Sequence, residues 1–183
     1  DGSAEIIPSQ CEKYDRHYYM SRSMVELHRL YFQRLADDAA NGTTTVNDPP
    51  FDVEPYSIPD EILNWPAHGD PSLGQDFFLA PFRDNPTGGG QEGLYEPEQG
   101  DYPWYDLEQT EEDCLNRNRE APIPLFGDQT LWWVFNDKGN IHTESQGQPI
   151  GMEIKAQAFA FNTQDEVNVM TFYNYTLINR GTQ

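Results

Sequence analysis

Residues 130–136 read TLWWVFN, a run of aromatic and β-branched residues that is typical of a β-strand. The next residues, 136–140, read NDKGN and combine the residue types that favour a tight turn. Residues 141–144 would then return as a second strand. The sequence therefore predicts a hairpin here, and the strand 130–136 is the element around which the rest of the fold is organised.

Two longer strands are predicted further along the chain. Residues 152–161 alternate small or apolar side chains with polar or aromatic ones, and residues 167–179 place Val, Thr, Tyr and Leu on one face. The turn-forming residues 162–165 separate them, so alanines of the first strand should face tyrosines of the second. Residues 124–183 are thus predicted to be antiparallel β. The last strand would need another neighbour, which indicates a piece of something longer.

One amphipathic helix is predicted within residues 20–42. Ser23 and Glu26 have the spacing of a capping box, in which each side chain hydrogen-bonds a backbone amide at the start of the helix. Gly42 provides the usual carboxyl-terminal stop. The apolar stripe consists of Met24, Leu27, Tyr31 and Leu35.

Charge is distributed very unevenly along the 183 residues. The formal net charge is -20, yet 19 of the 31 acidic residues and only one basic residue, Arg83, lie between residues 36 and 116. Nucleic-acid binding requires clustered Lys and Arg, so this balance argues against it. No run of about 18 apolar residues occurs, which argues against membrane insertion.

The acidic part of the chain is also rich in proline and aromatic residues. Ten of the 14 prolines lie between Pro49 and Pro103, and such a density excludes long regular elements. A disordered linker would not need the many aromatic side chains, so residues 43–123 are predicted to be an ordered, irregular wrapping segment. The expected fold is mainly β: an antiparallel β-sandwich-like core with one helix, forming a single domain over 1–183 or a fragment of a larger secreted protein.

A group of oxygen-bearing side chains within the wrapping segment suggests a calcium site. Calcium prefers six to eight oxygen ligands, and it would offset the repulsion among neighbouring carboxylates. Glycines at 88–90 would let the loop bend around the ion. The candidate ligands are Asp84, Asn85, Glu92, Glu96 and Asp101.

No catalytic motif stands out in the sequence, and the protein is expected not to be an enzyme. The histidines lack metal-ligand spacing, and no nucleophile elbow or phosphate-binding loop occurs. Trp104 and Trp132 would stack on sugar rings if exposed, although packing in a core is the alternative. In an exported protein Cys11 and Cys114 would form one disulfide, with two free thiols as the alternative.

Several short stretches occur in an order that resembles a known family. They are 62–66 (ILNWP), 69–75 (GDPSLGQ), 79–82 (LAPF), 100–103 (GDYP), 127–137 (GDQTLWWVFND) and 170–173 (MTFY). The chain resembles the amino-terminal region of large secreted Bacteroidota proteins exported by the type IX secretion system, a sorting-domain-containing family of unknown function. In that family the loop before GDYP usually resembles a calcium loop, whereas this chain has Pro86 and three glycines there.

The resemblance implies export, an extracellular or cell-surface location and further domains after residue 183. It carries over no catalytic residue. The expected function is a non-enzymatic structural or adhesive module of a secreted or cell-surface protein, stabilised by calcium. The expected partners are further domains of the same polypeptide, cell-surface proteins or glycans. The alternative is a carbohydrate-binding module or a glycoside hydrolase fragment.

Overall fold

The computed structural model describes residues 13–105, 123–137, 144 and 146–181, and its largest element is an antiparallel sheet. Four strands of the described chain form it in the order β1-β4-β5-β6. They are β1 Tyr18–Ser21, β4 Gln129–Asn136, β5 Met152–Ala160 and β6 Phe172–Asn179. A separate two-stranded ribbon pairs β2 Phe82–Arg83 with β3 Tyr102–Pro103. The protein is therefore β-rich and antiparallel, as its sequence predicts.

The register of β5 and β6 confirms that alanines face tyrosines. Ala156 pairs with Tyr175 and Ala158 with Tyr173. On the other side of β5, Ala156 pairs with Trp133 of β4. Each small side chain thus lies between large ones, which keeps the strand spacing even. In the described sheet β6 is an edge strand, because it pairs with β5 alone.

The last strand starts later than predicted. Residues 167–171 were expected to belong to it, but Glu166–Val169 form a 3-10 turn and β6 begins at Phe172. The cause is local: the Asp165 carboxylate accepts a hydrogen bond from the Val167 amide at 3.1 Å. Such a cap competes with extended structure. The predicted return strand at 141–144 lies mostly outside the described residues.

Helix α1, Arg22–Asn41, follows β1 directly. Its N-cap is Ser21 and not Ser23, because Ser21 has the extended backbone of a strand end and its Oγ accepts the Met24 amide at 3.2 Å. Gly42 closes the helix in the left-handed conformation, with φ of 68°. The fully buried helix residues are Val25 and His28, whereas Leu35 on the predicted stripe is 37% exposed.

Residues 43–105 contain short elements only, among them helix α2, Asp60–Leu63. They nevertheless contribute Ile62, Trp65 and Leu79 to the core, where these side chains are at most 7% exposed. Trp65 packs against Trp132 of β4, with 6.0 Å between ring centroids. The core thus lies between the inner face of the sheet and this irregular segment. None of the described helices has the length and apolar character needed to cross a membrane.

Candidate functional site

The acidic loop 84–101, which contains the five predicted calcium ligands, is organised around Asp101. This side chain is 3% exposed, and its two oxygens accept the amides of Asn85 at 2.8 Å and Glu96 at 2.7 Å. Burial raises the pKa of Asp101, the two amide bonds lower it, and the charges of Asp84 and Glu96 raise it further. One buried carboxylate therefore ties the two ends of the loop together.

Two other predicted ligands also accept backbone hydrogen bonds. Asp84 Oδ1 accepts the Gly93 amide at 3.1 Å, and Glu96 Oε2 accepts the Gln91 amide. These bonds stabilise the turns of the loop from within it. The structure thus brings Asp84, Glu96 and Asp101 into one loop, but each carboxylate serves there as a backbone acceptor.

The remaining predicted ligands differ in placement. Asn85 donates from Nδ2 to the Gln99 carbonyl at 2.9 Å, while its Oδ1 accepts from Thr87. Glu92 is exposed to solvent. Within the part of the chain that the structure describes, no three His, Cys, Asp or Glu side chains are arranged to hold a metal ion. Calcium binding stays a prediction.

Glycine is required at position 100 for the loop to close. Gly100 has φ of 98°, a conformation that side chains other than glycine rarely adopt. A Cβ there would lie 2.4 Å from Asn85 Nδ2 and 2.7 Å from Phe32 Cγ. The loop therefore packs its backbone directly on helix α1.

His28 joins the same loop to helix α1, a role that the sequence did not reveal. Its Nε2 donates to the Asp101 carbonyl at 3.1 Å, so the ring is the Nε2–H tautomer and Nδ1 accepts from Tyr56 Oη at 2.9 Å. Burial lowers the pKa of His28 to about 4, against a smaller opposing effect of the Asp101 bond. A signal was available in the spacing, since His28 lies three residues after the buried Val25.

The two tryptophans considered for sugar stacking lie in different surroundings. Trp132 is 2% exposed and packs among Tyr18 and Trp65, so its ring has no open face. Trp104 is half-buried, with the Arg83 guanidinium 3.9 Å from its ring centroid. Trp132 therefore packs in the core, which is the alternative to stacking on sugar rings. The proposed disulfide partners Cys11 and Cys114 lie outside the described residues.

The outer face of the sheet exposes a continuous group of large apolar side chains. Alternation along β6 turns Tyr173, Tyr175 and Leu177 outward, and they are 60%, 51% and 66% exposed. The paired strands add residues to the same face, and we call this set the open face. It consists of Leu131, Trp133, Phe135, Ile154, Tyr173, Tyr175 and Leu177.

The aromatic rings of the open face are close enough to contact one another. Tyr173 and Tyr175 lie nearly parallel, with an interplanar angle of 7° and 6.3 Å between centroids. Trp133 meets Tyr175 edge to face at 6.4 Å. An exposed apolar surface of this kind on a protein of net charge -20 is typical of an interaction site. Comparison with family models, curated proteins and solved structures found no match for the chain.

Proposed function

We propose that the chain is a non-enzymatic structural or adhesive module of a secreted or cell-surface protein. The observation that carries this proposal is the open face, where Tyr173, Tyr175 and Leu177 are each more than half exposed. Because these side chains are already partly buried, covering them with a partner would stabilise the assembly by about 1 to 2 kcal/mol each. The resemblance to exported Bacteroidota proteins supports the extracellular setting.

The occupant that we propose for the open face is a further domain of the same polypeptide. A second β layer there would complete the sandwich-like core, because antiparallel sheets pack face to face through apolar side chains. A second copy of this chain is disfavoured by the repulsion between two chains that each carry a net charge of -20. A neighbouring domain is covalently tethered to this chain, so its docking does not require two chains of net charge -20 to approach each other.

Side-chain footprinting tests the proposed occupant. Hydroxyl-radical labelling of Tyr173 and Tyr175 should be strong in the 183-residue chain and weak in the complete polypeptide. Phe78, which is 59% exposed elsewhere, provides the internal control and should label equally in both. Equal labelling of the tyrosines in both forms would contradict the proposal.

Calcium stabilisation of the acidic loop is the second part of the proposal. Asp84 Oδ2 and Glu96 Oε1 accept no hydrogen bond from the described residues, and the charges of both carboxylates act on Asp101. The neighbouring Arg83 is held over the Trp104 ring, 3.9 Å from its centroid. A bound cation would lower the electrostatic repulsion among the three carboxylates.

Carbohydrate binding is the alternative function, and the parallel pair Tyr173 and Tyr175 favours it, because exposed aromatic rings stack on sugars. A glycan array with Tyr175→Ala and Trp104→Ala separates the two functions. Loss of glycan binding in a variant that keeps its melting temperature would support carbohydrate recognition. Absence of binding by the unaltered chain would leave the structural module as the function.

A further inference from the structure

We infer that a surface pocket beside β1 binds a small organic anion with a ring-shaped body. The pocket has a volume of about 320 Å³ and is partly open to solvent. This volume lies at the lower end of the range of small-molecule sites. Tyr95 is the one lining residue that belongs to the acidic loop, and no lining residue belongs to the open face, so the inference does not depend on the proposed function.

The charge of the pocket is opposite to that of the whole protein. Two of its lining residues, Lys13 and Arg16, are cationic, and no carboxylate belongs to the lining among the residues that the structure describes. Among the described residues, no carboxylate forms an ion pair with the Arg16 guanidinium, which lies 4.5 Å from the centroid of the Tyr18 ring. Asp70 lies outside the lining. Its pKa is lowered chiefly by hydrogen bonds from Ser72, and the charge of Lys13 lowers it further.

The neutral polar groups of the wall already have partners inside the protein. Tyr18 Oη donates to the Lys13 carbonyl at 3.1 Å, and Tyr95 Oη donates to the Ile62 carbonyl at 2.7 Å. Trp65 Nε1 donates to the Pro81 carbonyl at 3.0 Å. These three side chains therefore keep their donors for the fold, and Tyr95 is the most accessible of them, since Tyr18 is 7% and Trp65 4% exposed.

The same holds for the other polar side chains of the wall. His68 Nδ1 donates to the Phe77 carbonyl at 3.1 Å and Nε2 accepts the Tyr95 amide at 2.9 Å, so both ring nitrogens are engaged. Tyr14 Oη donates to Gln75 Oε1, and Asn64 Nδ2 donates to the Asp60 carbonyl. The Lys13 ammonium and the Arg16 guanidinium are therefore the principal donors left for a ligand.

This combination selects the chemistry of the ligand. A guanidinium matches a carboxylate with two parallel hydrogen bonds, and an ammonium adds a second positive charge. The half-buried tyrosines of the lining, Tyr14 and Tyr95, favour a flat or ring-shaped body beside that carboxylate. The shared chemistry is a carboxylate on a ring, which occurs both in aromatic acids and in sugar acids.

Titration of the 183-residue chain with benzoate and with glucuronate tests the inference. Two-dimensional NMR should show saturable shifts of the Arg16 Nε–H and Trp65 Nε1–H signals, with a Kd of about 0.1 to 5 mM for a ligand of this size. The Trp104 Nε1–H signal should not move. The acid that binds with the lower Kd shows whether the ligand is an aromatic acid or a sugar acid.

Variants and neutral ligands make the test specific. Arg16→Gln should weaken binding by about 10-fold or more, because the paired charge is lost. Arg22→Gln removes a cation outside the pocket and should leave the Kd unchanged. Benzamide and glucose, which lack the carboxylate, should not bind.

Several outcomes would overturn the inference. They are the absence of saturable shifts with both acids, an unchanged Kd in Arg16→Gln, and equal binding of benzamide. Inorganic sulfate that binds as tightly as the organic acids would also overturn it, because the aromatic wall would then contribute nothing. If Arg16→Gln fails to fold, as judged by its melting temperature, Lys13→Gln replaces it and should weaken binding in the same direction.

Discussion

Acidification should weaken the fold through His28 before it affects most carboxylates. In the unfolded chain His28 takes up a proton near its ordinary pKa of 6.5, whereas in the folded chain its pKa is lowered to about 4. Between these values the unfolded state binds more protons, so stability is complete above pH 6.5 and falls as pH decreases towards 4. The full shift corresponds to about 3 kcal/mol, of which about 2 kcal/mol is lost between pH 7.5 and pH 5.

The hydrogen bonds of the His28 ring explain why it resists protonation in the folded chain. Nε2 already donates to the Asp101 carbonyl and Nδ1 accepts from Tyr56, so protonation of Nδ1 would place two donors against each other in a buried site. The Asp101 carboxylate titrates nearby with the opposite effect. Because its pKa is raised in the folded chain, its protonation favours the fold as pH decreases.

A comparison with His28→Gln isolates the histidine from every other group. Glutamine retains one donor and one acceptor but does not titrate in this range. Urea unfolding at intervals between pH 7.5 and pH 5 should give a steeper loss of stability in the unaltered chain than in His28→Gln, by about 2 kcal/mol over the range. Parallel curves for the two proteins would refute the assignment of the acid sensitivity to His28.

Four further results are expected. Gly100→Ala should lower the free energy of unfolding by more than 2 kcal/mol, roughly, in urea titrations, whereas Gly74→Ala, which has φ of 76° and no heavy atom within 4 Å, should cost only about 1 kcal/mol; equal costs would contradict the close packing of Gly100. Chelation should lower the melting temperature in scans with calcium and with a chelator if the acidic loop binds the ion, and an unchanged midpoint would remove calcium from the proposal. Trp132→Ala should cost about 3 to 5 kcal/mol in chemical denaturation because Trp132 is buried, and a cost below 1 kcal/mol, roughly, would contradict its place in the core. Asp38→Asn should flatten the loss of stability below pH 4. Hydrogen bonds from Thr and backbone groups outweigh burial and hold the pKa of Asp38 below its ordinary value. The stability that the ionised carboxylate contributes is therefore present at higher pH and is lost as the folded carboxylate is protonated.

The strands of the sheet could be predicted from the sequence because their signal is local. Alternation alone located β4, β5 and most of β6, and it placed Tyr173 and Tyr175 on one face. The first strand, Tyr18–Ser21, carries no such signal in four residues. It exists because it pairs with β4, far along the chain, and this pairing also moves the helix cap from Ser23 to Ser21.

The candidate site was only partly predictable for a different reason. The sequence locates a concentration of carboxylates, but it does not indicate whether their oxygens face a cation or backbone amides. In the structure Asp101 accepts the amides of Asn85 and Glu96, a choice that depends on how the loop folds. The pairing of His28 with that loop is equally invisible, since it joins distant parts of the chain.

The edge strand β6 has a consequence for the behaviour of the protein in solution. Its outer backbone is a template on which another strand can pair, and edge-to-edge pairing of this kind leads to aggregation. A net charge of -20 keeps neighbouring molecules apart near neutral pH. That protection disappears as the pH approaches the isoelectric point of about 4.2. Colloidal stability should therefore fail over the same acidic range in which His28 loosens the fold, and the two effects should reinforce each other.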